Sequence, residues 1–181
     1  MATRTLLDLG AALLGAEVRS AQVSAWLDAH QPGASAAGYP DLWVPPTLVA
    51  GTAGAQDRGF VVGSTAGYPT GLHEPLVKAA EARLAVQQGA AAIALCVPAE
   101  SSADPNRALM EAVTVREAVP SPVRLCVVLG GEEAGWPQLL QYYARAGIDA
   151  ALLPTHVTLE ALPSDVWESA RGMDLGVLRP L

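Results

Sequence analysis

Residues 59–98 read GFVVGSTAGYPTGLHEPLVKAAEARLAVQQGAAAIALCVP, and this stretch decides the fold. A short apolar run at 60–63 is followed by a loop at 67–71 that is rich in turn-forming residues. Apolar residues then recur at helical spacing, namely Leu76, Val77, Ala80, Leu84 and Val86. After Gly89 comes a second continuous apolar run, 91–97, typical of a strand buried on both faces. The order strand, loop, helix, strand predicts a βαβ unit and therefore a parallel sheet.

Three segments of this stretch carry a family resemblance. They are Gly67-Tyr68-Pro69-Thr70-Gly71, Lys78-Ala79-Ala80-Glu81-Ala82 and Gly89-Ala90. In this order and register they resemble the deoxyribose-phosphate aldolase family, whose pattern is G-[FY]-P-x-G, then K-x-x-E-A in a helix, then G-A before an apolar strand. The resemblance implies a (β/α)8 barrel.

The rest of the chain continues the alternation of strands and helices. Further strands are predicted at 42–44, 123–129, 149–153 and 175–178, and residues 5–14 form either a first strand or a helix. Further helices are predicted at 20–30, 104–119, 136–146 and 158–171, with a single turn at 47–50. This gives at most seven strands, whereas a closed barrel of this class has eight and about 250 residues.

We therefore expect one α/β domain over residues 1–181, with the architecture of an incomplete TIM-barrel-like parallel barrel of about seven strands. An open edge between the first and the last strand would expose unpaired backbone. Either a partner covers this edge or the chain closes with fewer strands. The first alternative predicts an oligomer.

Length and composition narrow the class of protein. A chain of 181 residues suffices for one domain and is short for two. The net charge of −7 argues against a nucleic-acid partner, because phosphates attract basic surfaces. The sequence shows neither a membrane span nor a signal peptide, so we expect a cytoplasmic protein.

Few features of the sequence indicate a cofactor. The three histidines lack the spacing of metal ligands, and neither a P-loop nor a dinucleotide fingerprint is present. We therefore expect no metal and no cofactor. Cys96 and Cys126 lie within predicted strands, where a cysteine ordinarily acts as a small buried hydrophobic residue.

The resemblance implies a Schiff base on a lysine, assisted by other lysines and by an Asp, and the reactive amine must be neutral. The corresponding positions here are Ala94, Leu125 (or, one place off, Arg124), Leu152 and Leu178. Lys78 is the one lysine in the chain, and it lies within a helix at a position where the family has a lysine that is not the nucleophile. We therefore expect no Schiff-base chemistry. The Gly-Gly segments that hold phosphate in the family are also missing.

Polar residues near predicted strand ends are the candidates for catalysis, because barrel enzymes place their sites there. They are His156, Glu132, Glu133 and Asp8, the last of which matches the Asp of the family's first-strand pattern. Each also has a structural explanation, such as a solvated loop histidine or a favourable first helical turn. The candidate substrate-binding residues, which would line an apolar cavity, are Ala94, Cys96, Leu125, Leu152, Thr155 and Tyr68.

Two functional hypotheses follow. In the first, the barrel has been reassigned to lysine-independent chemistry, a cyclisation, rearrangement or lyase reaction, on an apolar small molecule of a specialised pathway. In the second, the protein is a pseudoenzyme that acts as a binding module or as the partner subunit of a related aldolase. Both imply a small-molecule ligand, no nucleic acid and no membrane, and a homo-oligomer or a hetero-oligomer with an aldolase-like subunit.

Overall fold

Strands and helices alternate in the computed structural model, which describes residues 6–15, 17–36, 38–158, 162–170 and 172–180. The strands are β1 Leu7–Ala12, β2 Leu42–Val44, β3 Val62–Ala66, β4 Ala92–Cys96, β5 Arg124–Val128, β6 Ala150–Leu153 and β7 Asp174–Pro180. The helices are α1 Ser20–Ala29, α2 Ala53–Gln56, α3 Pro75–Gln87, α4 Pro105–Ala118, α5 Trp136–Arg145 and α6 Ser164–Ser169. Short 3₁₀ helices occupy Pro46–Thr52, Ala99–Ala103 and Glu133–Gly135.

The seven described strands form one closed parallel barrel in chain order. Strand β1 pairs with β2 and also with β7, where Leu7 lies opposite Gly176 and Asp8 opposite Val177. The parallel TIM-barrel-like architecture is thereby confirmed, and the chain closes with fewer strands than eight. The open edge that the sequence allowed is absent from this barrel, because β1 and β7 satisfy each other's backbone groups.

The interior of the barrel combines four small residues with two leucines and two aromatic side chains, and seven strands enclose a narrower space than eight. The buried interior cluster consists of Leu9, Tyr39, Trp43, Ala92, Ala94, Cys126, Ala150 and Leu152. Trp43 is fully buried, and its indole N–H donates to the carbonyl oxygen of Leu9 at 2.6 Å. A Cβ on Gly63 would lie 2.6 Å from the Trp43 ring and 2.7 Å from the Pro40 ring, so glycine is the residue that fits there.

A polar cluster closes the amino-terminal end of the barrel. The Arg124 guanidinium lies over the Tyr39 ring at 4.4 Å, and the Tyr39 hydroxyl donates to the Asp174 carboxylate at 2.7 Å. Burial, followed by the hydrogen bond to Asp174, raises the pKa of Tyr39, so the phenol stays neutral. The Tyr39 ring, the Arg124 guanidinium and the Asp174 carboxylate together cover this end of the interior.

Helix α3 buries a different face from the one that its apolar pattern predicted. Its buried residues are Lys78, Ala79, Ala82 and Ala85, whereas Leu76, Val77 and Leu84 are exposed. Small side chains let α3 lie close to α4 and to the sheet. In a helix with alanine on several sides, spacing alone does not identify the inward face.

Other segments differ from the prediction in their limits. Strand β3 begins at Val62, two residues later than predicted, and the predicted turn at 47–50 extends into a 3₁₀ helix followed by α2. The strand alternative for residues 5–14 is confirmed by β1. The predicted helix at 158–171 is represented by α6, and its residues 159–161 and 171 lie outside the described part. No helix of the described part has the length and hydropathy to cross a membrane.

Candidate functional site

A cavity of about 370 Å³ opens where the strands reach their carboxyl ends, and we call it the mouth cavity. Its lining comes from the ends of the strands and from the loops that follow them: Leu14, Thr65, Tyr68, Pro69, Thr70, Ala94, Cys96, Val97, Ala99, Val128, Gly130 and Leu178. Most of these side chains are apolar, and three hydroxyls interrupt them. Such a cavity selects a small organic molecule by shape, with a few hydrogen bonds to orient it.

A second pocket, of about 390 Å³, adjoins the mouth cavity and shares Leu14, Tyr68 and Leu178 with it. Tyr68 lies between the two, and its hydroxyl donates to the carbonyl oxygen of Leu14 at 2.7 Å. Thr155 lines the second pocket. The hydrogen bond of Tyr68 therefore fixes the ring that separates the two spaces.

Lys78 lies behind the wall of the mouth cavity and is fully buried. Its ammonium donates to the Glu111 carboxylate, to the carbonyl oxygen of Gly71, and to the carbonyl oxygen of Cys96 at 3.0 Å. An ammonium has three donors, and all three are engaged. Burial raises the pKa of Glu111 while the Lys78 charge lowers it, and burial has the larger effect.

The two cysteines are free and buried, as the sequence predicted. Cys96 lines the mouth cavity, and burial raises the pKa of its thiol to about 12. Cys126 lies in the barrel interior, and burial raises its pKa as well. At neutral pH both thiols are protonated and are therefore weak nucleophiles.

The four predicted catalytic residues are not brought together. Asp8 lies on the outside of the barrel, because its neighbours along β1 face the interior, and its carboxylate is 2.9 Å from the Arg179 guanidinium. Glu132 and Glu133 are exposed beside a 3₁₀ turn, and His156 is exposed after β6. None of the four lines either pocket. Their catalytic role stays a prediction.

Three of the six predicted substrate-binding residues line the mouth cavity, namely Ala94, Cys96 and Tyr68. Thr155 lines the adjoining pocket, and Leu152 lies in the barrel interior. Leu125 instead packs in the shell between the sheet and the helices, because side chains alternate along β5 and Cys126 and Val128 face inward. Contact of these residues with a substrate stays a prediction.

Several residues of the mouth cavity were not predicted from the sequence, among them Leu14, Thr65, Thr70 and Val128. Thr65 was missed because β3 was placed two residues too early. Val128 follows Cys126 by the two-residue alternation of a strand, so this alternation was the signal that could have identified it. Within the described ranges, no group of three or more His, Cys, Asp or Glu residues is placed to hold a metal ion.

The closed parallel barrel and its cavity define the class: this is a TIM-barrel-like protein with a candidate site where barrel enzymes have theirs. The solved structure of the tetrameric deoxyribose-phosphate aldolase from Aeropyrum pernix is similar, with a TM-score of 0.74, 21% identity, and coverage of 93% of this chain and 73% of that chain. The solved structure of QR15, an aldolase, has a TM-score of 0.75 at 20% identity, over 90% of this chain and 75% of that chain. At these identities the likeness shows the fold.

No protein-family model matches the chain. The deoxyribose-phosphate aldolase of Corynebacterium glutamicum is 44% identical over 119 residues, which are 65% of this chain and 52% of that protein. The enzyme of the same name from Corynebacterium jeikeium is 44% identical over 88 residues, 48% of this chain and 34% of that protein. The chain thus spans about half the length, or less, of these curated relatives. The resemblance to the deoxyribose-phosphate aldolase family that the motifs at 67–90 indicated is thereby confirmed.

This relationship contradicts both functional hypotheses drawn from the sequence. Relatives at 44% identity are named deoxyribose-phosphate aldolases, which supports neither a barrel reassigned to lysine-independent chemistry nor an inactive pseudoenzyme or partner subunit. Both hypotheses were wrong because they gave the missing lysines more weight than the identity of the surrounding sequence.

Proposed function

We propose that the chain is an aldolase barrel that binds a small aldehyde, or the aldol adduct formed from one, in the mouth cavity. The observation that carries this proposal is the 44% identity with deoxyribose-phosphate aldolases over 119 residues. The cavity at the carboxyl ends of the strands supports it, because barrel enzymes bind substrates at that face. Deoxyribose phosphate is the first substrate to test, since the relatives are named for it.

The lining of the mouth cavity suits a short hydroxyaldehyde. The hydroxyls of Thr65, Tyr68 and Thr70 are the groups that would hydrogen-bond hydroxyl or carbonyl oxygens of the substrate. Apolar side chains, such as those of Ala94 and Val128, would pack against its carbon chain and exclude water. In this conformation Lys78 has a structural position, because its buried ammonium is bonded to Glu111 and to two backbone carbonyls.

Enlarging Ala94 tests whether the mouth cavity is the site. The Ala94→Leu variant should cleave deoxyribose phosphate with kcat/KM lowered about 10- to 100-fold, because a misfit of this size in a pocket costs about 1–3 kcal/mol of transition-state binding and 1.4 kcal/mol is a tenfold change in rate. Acetaldehyde release, coupled to NADH oxidation by alcohol dehydrogenase, measures the rate. Ala53→Leu at an exposed position of α2 is the matched control and should act as the wild type does. A wild-type protein that cleaves neither deoxyribose phosphate nor deoxyribose would contradict the proposal.

We also propose that the chain assembles as a homo-oligomer. The reason inferred from the sequence, an open barrel edge, no longer applies. The support is instead an apolar surface on the neighbouring helices α3 and α4, where Leu76 is 76% exposed and Met110 is 70% exposed. The A. pernix relative is described as tetrameric. A single domain over residues 1–181 and a cytoplasmic location also belong to this proposal.

A charge placed in this apolar surface should prevent assembly. We expect light scattering after gel filtration to show an oligomer for the wild type and a monomer for the double variant Leu76→Glu, Met110→Glu, because the charges would have to be buried without partners. A matched control places charge on exposed polar positions of the same helices, as Gln87→Glu with Asn106→Glu. A monomeric wild type contradicts the homo-oligomer, and assembly solely with a related aldolase would favour the hetero-oligomer.

A further inference from the structure

A buried charge cluster ties two helices to the wall of the mouth cavity. Lys78 of α3 and Glu111 of α4 are both buried and form an ion pair. The Lys78 ammonium also donates to the carbonyl oxygens of Gly71, at the end of the loop 67–71, and Cys96, at the end of β4. One side chain therefore connects α3 with α4, with the loop and with the sheet.

The other end of the loop is held from the same helix. The Glu81 carboxylate of α3 accepts a hydrogen bond from the backbone N–H of Gly67 at 2.6 Å. Gly67 and Gly71 both have positive φ. A Cβ added to Gly67 would lie 2.7 Å from Cε of Lys78, and one added to Gly71 would lie 2.3 Å from the carbonyl carbon of Val97. The absence of side chains at both positions lets the loop approach the cluster this closely.

The segments held in this way are the ones that form the cavity wall. Tyr68, Pro69 and Thr70 lie between the two anchored glycines, and Cys96 and Val97 lie at the anchored end of β4, and all five line the mouth cavity. A buried ion pair is weak evidence for stability, because well-packed apolar residues often serve as well. Its role here is better explained by the two backbone carbonyls to which the ammonium donates.

We propose that Lys78, Glu81 and Glu111 are positioning residues, a loop clamp that sets the shape of the mouth cavity by holding the loop 67–71 and the end of β4. The clamp acts through the backbone and touches no substrate. Its effect on catalysis rests on the proposed function, that the substrate occupies this cavity. Its effect on the shape of the wall does not.

The two cysteines of the chain provide internal reporters of loop opening. Cys96 lines the clamped wall, whereas Cys126 lies in the closed barrel interior. Opening of the loop exposes the Cys96 thiol, and global unfolding exposes both thiols. Alkylation of the native protein with iodoacetamide, quantified for each cysteine peptide by mass spectrometry, gives a Cys96-to-Cys126 rate ratio. Loop opening raises this ratio, whereas global destabilisation raises the Cys126 rate at least as strongly in proportion and leaves the ratio unchanged or lower.

The decisive variant replaces both charges, as Lys78→Met with Glu111→Leu, so that no charge is left buried without a partner. We expect the rate ratio to rise at least tenfold in this variant, because the carbonyls of Gly71 and Cys96 lose their donor. Leu140→Ala in α5 is the control for global destabilisation, and it should not raise the ratio. A wild-type ratio in the double variant, or an equal rise in Leu140→Ala, would overturn the proposal.

Glu81 provides a matched pair of variants for the other anchor. Glu81→Gln keeps an acceptor oxygen for the Gly67 N–H and should keep the wild-type ratio, whereas Glu81→Leu removes the acceptor and should raise it. Equal ratios in the two variants would remove Glu81 from the clamp.

In the aldolase assay, the Lys78→Met, Glu111→Leu variant should show KM for deoxyribose phosphate raised about tenfold, and kcat should be lowered by a smaller factor. A wild-type protein without aldolase activity would contradict the proposed function. The Cys96-to-Cys126 alkylation rate ratio would still test whether the clamp holds the loop.

Discussion

Replacing Lys78 alone by Met should lower the free energy of unfolding by about 3–5 kcal/mol, the cost of removing one partner of a buried ion pair. The side chain of Lys78 is 0% exposed and that of Glu111 is 4% exposed, so water cannot solvate the carboxylate that remains. The carbonyl oxygens of Gly71 and Cys96 would lose their donor at the same time. Urea unfolding at neutral pH, followed by tryptophan fluorescence, measures the loss.

The double variant distinguishes the loss of the ion pair from the cost of leaving one buried charge without a partner. Adding Glu111→Leu to Lys78→Met should recover most of the lost stability, because neither charge is then left alone in the core. A single variant as stable as the wild type would contradict the burial of the pair. So would a double variant that is less stable than Lys78→Met alone.

The difference in the free energy of unfolding between the wild type and Lys78→Met should depend on pH. Burial raises the pKa of Glu111 above its ordinary value of 4.5, and Lys78 is the main group that lowers it. In Lys78→Met the folded pKa therefore rises further. A carboxyl with a raised folded pKa contributes stability below its unfolded pKa and loses that contribution as the pH rises through the folded pKa. The stability deficit of Lys78→Met should accordingly shrink as the pH falls from 7 towards about 4.5, and a deficit independent of pH would contradict an ionised Glu111.

The parallel barrel could be predicted because its strands are buried on both faces and appear as continuous apolar runs. Closure of the barrel could not be predicted, because it depends on the pairing of β1 with β7, which lie at opposite ends of the described chain. Apolar runs give the number of strands, whereas the number that closes also depends on strand tilt and stagger. The sequence therefore indicated seven strands and left open whether an edge remained.

The candidate site was predicted in part, for a related reason. Ala94 and Cys96 were identified, because β4 was placed correctly and its alternation puts both side chains inside. Leu125 was expected to line the cavity because the comparison with the family placed a lysine either there or at Arg124. In the structure its side chain faces the helices instead. The sequence showed that Lys78 was the one lysine, but it could not show that Glu111, on the next helix, was its partner.

Trp43 should be the most costly side chain to remove from inside the barrel. It is 0% exposed and lies beside Leu9 and Gly63, and it is the largest side chain of the interior cluster. Trp43→Ala should lower the free energy of unfolding by about 3–5 kcal/mol, because closed strands cannot collapse into the space it leaves. Urea unfolding followed by circular dichroism avoids reliance on the lost fluorophore.

Substitution of Gly63 tests whether the large cost of Trp43→Ala arises because seven strands enclose a narrow interior. Gly63→Ala alone should cost about 1–3 kcal/mol, because its Cβ would lie 2.6 Å from the Trp43 ring. With Trp43→Ala present, that cost should fall by at least about 1 kcal/mol, with a remainder from the Pro40 ring at 2.7 Å. In a Trp26→Ala background, which removes an indole from the outer shell, Gly63→Ala should cost as much as in the wild type. Equal costs in all three backgrounds would mean that the strands move apart to admit a methyl group, and that seven strands do not constrain the interior tightly.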